Sequence, residues 1–452
     1  MHKTYSSTST EKYIAFGFAL LIFIGACLLL VLNEMSGKHI AFIDAIFMAT
    51  SAICVTGLGT VNFGTDLSGA AQVALVVLIQ IGGVGVMSAA AAMMLVAGKR
   101  LGFRDRLFVS GGLGLSGPQG VVRLLRHVFL YTLAFELAGA IVIFLSLIQN
   151  GFHALTALRH SVCLAVSSFC NAGFTLFQNN LEWFENMYVV PGTVMTLIII
   201  GGIGFPVMLE LKGLRLNKWR KRTGLPCTGR LFLSLHARVA LVTTAVLVLG
   251  GAVAIFLTEH NHAFADITLP HAIMNSLFGS VTARTAGFDT VPYTQWSREG
   301  LIITMCLMAI GACPSSTGGG MKTTTFVIIL WFAWTEFRQK DNTTFFNRSI
   351  PDSMLRKATS VVLIYVGLIL VATFLLTFTE RMPTSVLLFE TISALSTVGL
   401  TVDVTPHLST TGKTIIIMLM YFGRVGLLTL ATSIIPSDPK SDVRRPPANL
   451  LV

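Results

Sequence analysis

Four short turns carry the residues whose types and spacing could do chemistry. Each turn ends in a glycine followed by a bulky apolar residue, and successive glycines lie 116, 114 and 112 positions apart: Val55-Thr56-Gly57-Leu58, Asn171-Ala172-Gly173-Phe174, Thr285-Ala286-Gly287-Phe288 and Thr397-Val398-Gly399-Leu400. Glycine adopts backbone angles that are costly for other residues, so such turns can be extended with their carbonyls aimed inward. A ring of carbonyls can replace the hydration shell of an alkali cation. The turns therefore predict a cation filter.

A second landmark follows each turn in register. It reads Ile81-Gly82-Gly83-Val84-Gly85, Ile200-Gly201-Gly202-Ile203-Gly204, Ile310-Gly311-Ala312-Cys313-Pro314 and Phe422-Gly423-Arg424-Val425-Gly426. Its first glycine comes 25, 28, 24 and 24 residues after the turn glycine. Two landmarks that keep register over four copies indicate an internal repeat.

The elements around the turns are apolar and helical in pattern. A stretch of a dozen or so apolar residues, too short to cross a bilayer, precedes each turn, and its C-terminal end would add partial negative charge. Eight longer stretches reach the roughly 20 residues that a span needs: about 13–33, 70–97, 128–148, 190–211, 236–257, 300–333, 358–378 and 412–434. The predicted unit is span, short re-entrant helix, turn and span.

The composition excludes a soluble protein. The chain has 452 residues, of which 53% are hydrophobic and only 12% charged, whereas soluble domains carry roughly 25% charged residues. A chain this apolar cannot stay unfolded in water, and seven scattered cysteines do not make a disulfide scaffold. We expect an all-α integral membrane protein in which four repeats (13–97, 124–211, 234–336 and 356–434) surround a pseudo-four-fold central pore.

The net charge of +11 reflects an excess of basic residues on one side of the membrane. With eight spans, the basic residues fall on one side, in linkers 98–123, 212–233 and 337–355, in the tail 435–452 and at the N-terminus. The positive-inside rule makes that side cytoplasmic, and nucleic acid is not expected as a partner. Asp289 and Asp403, just after the third and fourth turns, would concentrate cations at the outer mouth.

The second span of repeat 3 cannot be a continuous helix. Pro314 removes a helical donor, and three successive glycines have low helix propensity. Two interpretations stay open for this segment: a simple kink, or a loop across the pore below the filter. The segment comprises Gly311-Ala312-Cys313-Pro314-Ser315-Ser316-Thr317-Gly318-Gly319-Gly320, together with Lys322. The repeat register places Arg424 level with Ala312, where its donors could hold the loop carbonyls in a blocking pose.

The repeat plan, the turn glycines and the segment Thr317-Gly318-Gly319-Gly320-Met321-Lys322-Thr323 resemble the Trk/Ktr/HKT superfamily of cation channels and transporters. The resemblance covers about residues 13–434, and length and tail are similar to those of membrane subunits of bacterial Ktr potassium uptake systems. It implies that Gly57, Gly173, Gly287 and Gly399 are filter positions for K⁺ and that the loop and Arg424 form a gate.

The resemblance also implies partners and a location. These are a homodimer in the bacterial cytoplasmic membrane, both termini in the cytoplasm, and a cytosolic ring of regulatory subunits through which alone a nucleotide would act. Several members depend on sodium, which makes Na⁺ a candidate activator.

Two other classes of function stay open at this point. One is a secondary active symporter of K⁺ or Na⁺, which would favour inverted repeats and charged relays. The other is a membrane enzyme, for which the sequence offers no nucleophile or metal cluster.

Three local motifs are weaker. The first matches a dinucleotide fingerprint but lacks the strand and helix that such a site needs: Gly112-Leu113-Gly114-Leu115-Ser116-Gly117. The second is typical of a solvated loop: Glu259-His260-Asn261-His262. The third is Glu136, which either forms a helix–helix hydrogen bond or serves as a proton relay.

Overall fold

A computed structural model describes residues 7–85, 88, 102, 121–223, 232–339, 344–345 and 348–426. The described chain is almost entirely helical, as expected. Its strands are a two-residue antiparallel hairpin of Thr344–Phe345 and Arg348–Ser349. The Gly112–Gly117 motif and the tail 435–452 lie outside the described residues.

The first helix of each repeat is long and apolar. These helices are Ser7–Glu34, Val121–Gln149, Leu235–Glu259 and Asp352–Thr379. All four contain a stretch long and apolar enough to cross a bilayer. They agree with the four first spans expected from the sequence.

A short helix follows each long one and ends at the filter turn. The short helices are Phe42–Cys54, Ala154–Cys170, Leu269–Thr282 and Thr384–Ser396. With a rise of about 1.5 Å per residue, their 13 to 17 residues fall short of a bilayer core of about 30 Å. Each must therefore end inside the membrane and turn back.

The second helix of each repeat is shorter than the sequence suggests. The four are Gly69–Val84, Val189–Ile203, Arg298–Ala309 and Thr410–Val425. Three of them stop within the landmark at a glycine with positive φ (Gly85, Gly204 and Gly426), and the helix of repeat 3 ends one residue before its landmark. A residue with unusual backbone angles ends a helix, so the second helices end at corresponding places in the four repeats.

The span expected over 190–211 is bent. Val189–Ile203 and Phe205–Arg222 are separate helices bent by 97°. The amide of Phe205, freed at the break, donates to the carbonyl of Ser315 at 3.0 Å. The second helix also continues into the linker expected over 212–233. Within the described residues, four helices are long and apolar enough to span a bilayer, or five if the bent pair forms one span. The expected count of eight spans stays a prediction.

Repeat 3 is interrupted as predicted. Arg298–Ala309 ends before the Gly-rich segment, and the chain becomes helical again over Thr323–Phe337. The linker expected over 337–355 contains the two-residue hairpin and the start of the next long helix.

Acids at the outer ends of two long helices hold the start of the second helices. Glu259 accepts hydrogen bonds from the backbone amide and hydroxyl of Ser297, and Glu380 does the same for Ser409. Both serines are helix N-caps, and each carboxylate adds favourable charge at a helix N-terminus. The Glu259 carboxylate thus serves as a buried structural acceptor at the end of its helix, which differs from the solvated loop expected there, whereas His260, Asn261 and His262 lie in an exposed turn as expected.

The repeats pack in a closed order. The second helix of each repeat contacts the short helix of the next, and that of repeat 4 contacts the short helix of repeat 1. Polar pairs lie at two of these junctions. The Lys413 ammonium is 2.7 Å from the Asp44 carboxylate, and Arg159 donates to the Gln72 carboxamide at 2.8 Å.

Candidate ion filter and gate loop

The closed packing brings the four turn glycines together. A methyl group built on Gly57 would lie 3.1 Å from the Gly173 Cα and 3.3 Å from the Gly399 Cα. One built on Gly287 would lie 3.1 Å from the Gly399 Cα and 3.3 Å from the Gly173 Cα. Residues more than 110 positions apart in the chain thus form a ring with no room for side chains.

Every filter turn has the same unusual backbone. The first residue of each turn has a left-handed φ: 58° at Val55, 60° at Asn171, 68° at Thr285 and 52° at Thr397. The glycine two positions later also has positive φ. A β-branched residue in this region is a genuine outlier, and such strain persists only where surrounding contacts enforce it.

A buried hydroxyl supports each turn from behind, and the sequence reasoning missed all four. Ser51 and Ser393 accept hydrogen bonds from the amides of Gly57 and Gly399, at 3.0 and 3.1 Å. Ser167 accepts from the amide of the residue after the turn glycine, at 2.8 Å. The register of a hydroxyl six residues before the glycine could have identified these three.

Repeat 3 differs by one residue. Its hydroxyl belongs to Thr282, five positions before Gly287, and accepts from the Phe288 amide at 2.9 Å. The position six residues before the glycine is Val281. A strict register would therefore have missed this hydroxyl.

The middle of repeat 3 lies directly against the filter turns. Methyl groups built on Gly318 and Gly319 would overlap the hydroxyls of Thr285 and Thr397. Gly320 has φ 67° and packs against Ser396. Glycine is therefore required at these three positions, because the filter turns and Ser396 approach too closely to leave room for a side chain.

Repeat 2 holds the other side of the loop. The amides of Cys313 and Thr317 donate to the carbonyls of Gly202 and Gly201, at 3.1 and 3.3 Å. Gly311 donates to the Met321 carbonyl at 2.8 Å, which closes the base of the loop. The loop residues Ala312, Pro314, Ser315 and Ser316 lie between these attachments. The segment is thus a folded loop with contacts to three repeats, which is more than a kink.

Arg424 bonds a carbonyl of the loop. One nitrogen of its guanidinium donates to the Thr317 carbonyl and another to the Gly82 carbonyl of repeat 1. The loop residue that it bonds lies five positions beyond Ala312, the residue with which the repeat register aligns it. The Lys322 ammonium donates to the Gly318 carbonyl at 2.9 Å. The two cations thus bind adjacent loop carbonyls.

Glu136 joins two helices. Its carboxylate accepts from the Gln80 carboxamide at 3.2 Å, and the Cys170 thiol lies 3.9 Å from the other oxygen. Gln80 belongs to the second helix of repeat 1 and Glu136 to the first helix of repeat 2. Of the two interpretations of Glu136, these contacts favour the helix–helix hydrogen bond.

Acidic residues follow the turn glycines of repeats 3 and 4. Asp289, two residues beyond Gly287, is partly buried, and its Oδ1 has no hydrogen-bond partner. Burial raises the pKa of the Asp289 carboxyl to about 7, and the nearby charge of Glu182 adds to the rise. Asp403 is exposed. This end of the ring thus gains negative charge as the pH rises through about 7.

Comparison with known proteins identifies the family. Residues 3–442 match the family described as TrkH, cation transport protein. The chain belongs to this family. The predicted resemblance to the Trk/Ktr/HKT superfamily is thereby confirmed, and the family's activity is transport.

Several relatives of this TrkH-family chain are similar over nearly their whole length. The potassium/sodium uptake protein NtpJ of Enterococcus hirae is 37% identical over 434 residues, which cover 94% of this chain and 93% of NtpJ. The Ktr system potassium uptake protein B of Bacillus subtilis is 36% identical over 439 residues, covering 96% and 95%. The predicted similarity to Ktr membrane subunits is thus confirmed.

The fold of the chain is similar to that of a solved family member. The crystal structure of the potassium transporter TrkH from Vibrio parahaemolyticus superimposes with a TM-score of 0.74 and 18% identity. The match covers 96% of this chain and 86% of the other. At this identity the likeness establishes the fold alone.

Proposed function

We propose that this chain is the potassium-conducting membrane subunit of a Ktr-like uptake system. The observation that carries the proposal is the closed ring of Gly57, Gly173, Gly287 and Gly399. Carbonyls of the turns Val55–Gly57, Asn171–Gly173, Thr285–Gly287 and Thr397–Gly399 would bind K⁺ along the axis of four repeats. The short helices point their C-terminal ends at this axis, which adds cation attraction.

The loop over residues 311–322 is proposed as the gate. It lies against the glycine turns of repeats 2, 3 and 4, and Arg424 bonds it to repeat 1. Arg424 lies in the last turn of its helix and is partly buried, and a charged donor that loses its hydrogen-bond partners is left unsatisfied at a cost in free energy. The Arg424 bonds therefore favour the blocking pose.

Partners and location are proposed from the resemblance and the charge pattern. The relatives named Ktr system proteins belong by name to a system of several components. A nucleotide-binding cytosolic ring would bind the basic linkers, and the chain would act as a homodimer in the cytoplasmic membrane with both termini inside. The name of NtpJ includes sodium, which supports Na⁺ as an activator or second cation.

Flux in liposomes tests the proposal. Purified protein should admit ⁸⁶Rb⁺, a K⁺ analogue, down its gradient, and K⁺ should compete better than Na⁺. Flux should be unchanged when a proton gradient is added and the membrane potential is clamped with an ionophore. Flux that needs the proton gradient would show a symporter, and protein that admits neither cation would overturn the proposal.

A further inference from the structure

Three consecutive loop residues face three consecutive filter turns. Thr317 lies beneath Asn171 of repeat 2, and Gly318 and Gly319 lie beneath Thr285 and Thr397 of repeats 3 and 4. These turn residues are the ones with left-handed φ, which set the direction of the carbonyls that follow. The loop therefore touches the residues that fix the filter backbone.

At Asn171 this contact is a specific polar bridge. The Thr317 hydroxyl lies 3.4 Å from Asn171 Oδ1 and 3.2 Å from the Phe169 carbonyl, at the end of the short helix. On its other side, Asn171 Nδ2 donates to the Thr285 hydroxyl at 3.4 Å. All three bridging residues are fully buried. One carboxamide thus links the loop, the turn of repeat 2 and the turn of repeat 3.

We propose that Asn171 is a positioning residue through which the gate loop sets the selectivity of the filter. The proposal rests on the proposed function, and it adds a role for the loop besides blocking the path. While Thr317 holds the carboxamide, both ends of Asn171 are fixed and the turns of repeats 2 and 3 keep their carbonyls in place. A buried carboxamide without these partners would turn toward other polar groups, and the two turns would lose a shared support.

Asn171 is the member of its set that can form such a bridge. The equivalent residues are Val55, Thr285 and Thr397. A valine offers no polar atom, and a threonine offers one short hydroxyl, whereas a carboxamide offers a donor and an acceptor. Asparagine also tolerates left-handed φ. The residue type therefore fits both the backbone and the bridge.

Selectivity of hydroxyl variants tests the proposal. The K⁺ over Na⁺ permeability ratio should be read from reversal potentials in planar bilayers, separately from total flux. Thr317→Val keeps the shape and the backbone bonds of the loop but removes the hydroxyl. We expect it to lower the permeability ratio by about fivefold, the factor for one ordinary hydrogen bond lost from the selective state.

Other variants make the result specific. Asn171→Gly keeps the left-handed backbone without the carboxamide and should give a similar loss, and because the pair acts together the double variant should lose no more than the larger single. Thr317→Ser should restore the wild-type ratio. Thr196→Val is the matched control, because its exposed hydroxyl bonds only within its own helix.

The outcomes separate the inference from the proposed function. Folding is checked by size-exclusion profile. Thr317→Val or Asn171→Gly protein that folds and keeps the wild-type ratio overturns the inference and leaves the filter and gate intact. Equal losses in Thr196→Val and Thr317→Val also overturn it. Wild-type protein that conducts no cation overturns the proposed function and the inference with it.

Discussion

At the scale of the residue, the filter depends on glycines that have no space for a side chain. A Cβ on Gly57 would lie 2.7 Å from the Ala172 carbonyl oxygen, and φ is 100°. Substitution there must push neighbouring turns apart and tilt a carbonyl away from the ion. The substitution therefore distorts all four turns rather than one.

We expect Gly57→Ser to lower K⁺ selectivity by about tenfold, which corresponds to roughly 1.4 kcal/mol. Gly173→Ser, Gly287→Ser and Gly399→Ser should act in the same direction. Gly37→Ser is the control: φ is 71° there, but nothing lies within 4 Å of a built Cβ, so it tests backbone strain without crowding. Competition of K⁺ and Na⁺ with ⁸⁶Rb⁺ flux measures the effect. Wild-type selectivity in all four variants would refute the filter assignment.

The buried hydroxyls are a second determinant at this scale. Ser51→Ala would leave the Gly57 amide without its acceptor, and an unsatisfied buried group costs about 1–3 kcal/mol. We expect the K⁺ concentration that gives half-maximal flux to rise by about tenfold. Ser393→Ala should have a similar effect. Ser360→Ala, which loses only an exposed hydroxyl, should match the wild type. Unchanged affinity in both filter variants would show that the hydroxyls are dispensable.

At the scale of the element, a helix interrupted at its glycine landmark makes room for the loop. The two nitrogens of Arg424 bridge carbonyls of repeats 1 and 3, and lysine has no planar fork with which to reproduce that bridge.

We therefore expect Arg424→Lys to raise ⁸⁶Rb⁺ flux, by about threefold to tenfold if one charge-assisted bond is lost. Deletion of Ser315 and Ser316 should raise flux further and reduce dependence on a regulatory partner. Arg381→Lys, at an exposed outer position, serves as the control. A well-expressed deletion variant with wild-type flux would contradict the gate and leave the loop a structural insertion.

At the scale of the whole molecule, the charge distribution controls how cations approach. Below pH 7 the raised pKa leaves the Asp289 carboxyl mostly protonated, and above pH 7 it is charged. Glu182 and Glu185 face the same region. A negative mouth raises the local concentration of cations.

We expect ⁸⁶Rb⁺ uptake at limiting concentration to increase by about twofold between external pH 6 and pH 8, because negative charge at the mouth attracts cations. Asp289→Asn should remove most of this rise. Asp403→Asn, which removes an exposed charge, should lower uptake at both pH values and keep the rise. A pH profile unaffected by Asp289→Asn would assign the dependence to another group.

The basic linkers, which the positive-inside rule predicts to be cytoplasmic, predict a soluble partner. They are too short for domains of their own, so regulation by a nucleotide would need another chain. Mild purification from the native membrane should recover a nucleotide-binding protein, and reversal of charge at Lys212 and Lys218 should reduce its recovery at moderate salt. Full nucleotide-responsive flux from this chain alone would contradict the prediction.

The sequence by itself determined the family, the apolar helices, the four glycine turns and the interruption in repeat 3. These features could be read from the sequence because glycine, proline and apolar runs determine the conformation of the chain near them. Tertiary structure alone decided where the other second helices end, which loop carbonyl Arg424 bonds, and that Asn171 bridges two turns and the loop. These depend on packing between residues up to 342 positions apart. A broken helix end or buried donor takes whichever acceptor the fold brings near, and no local pattern specifies it.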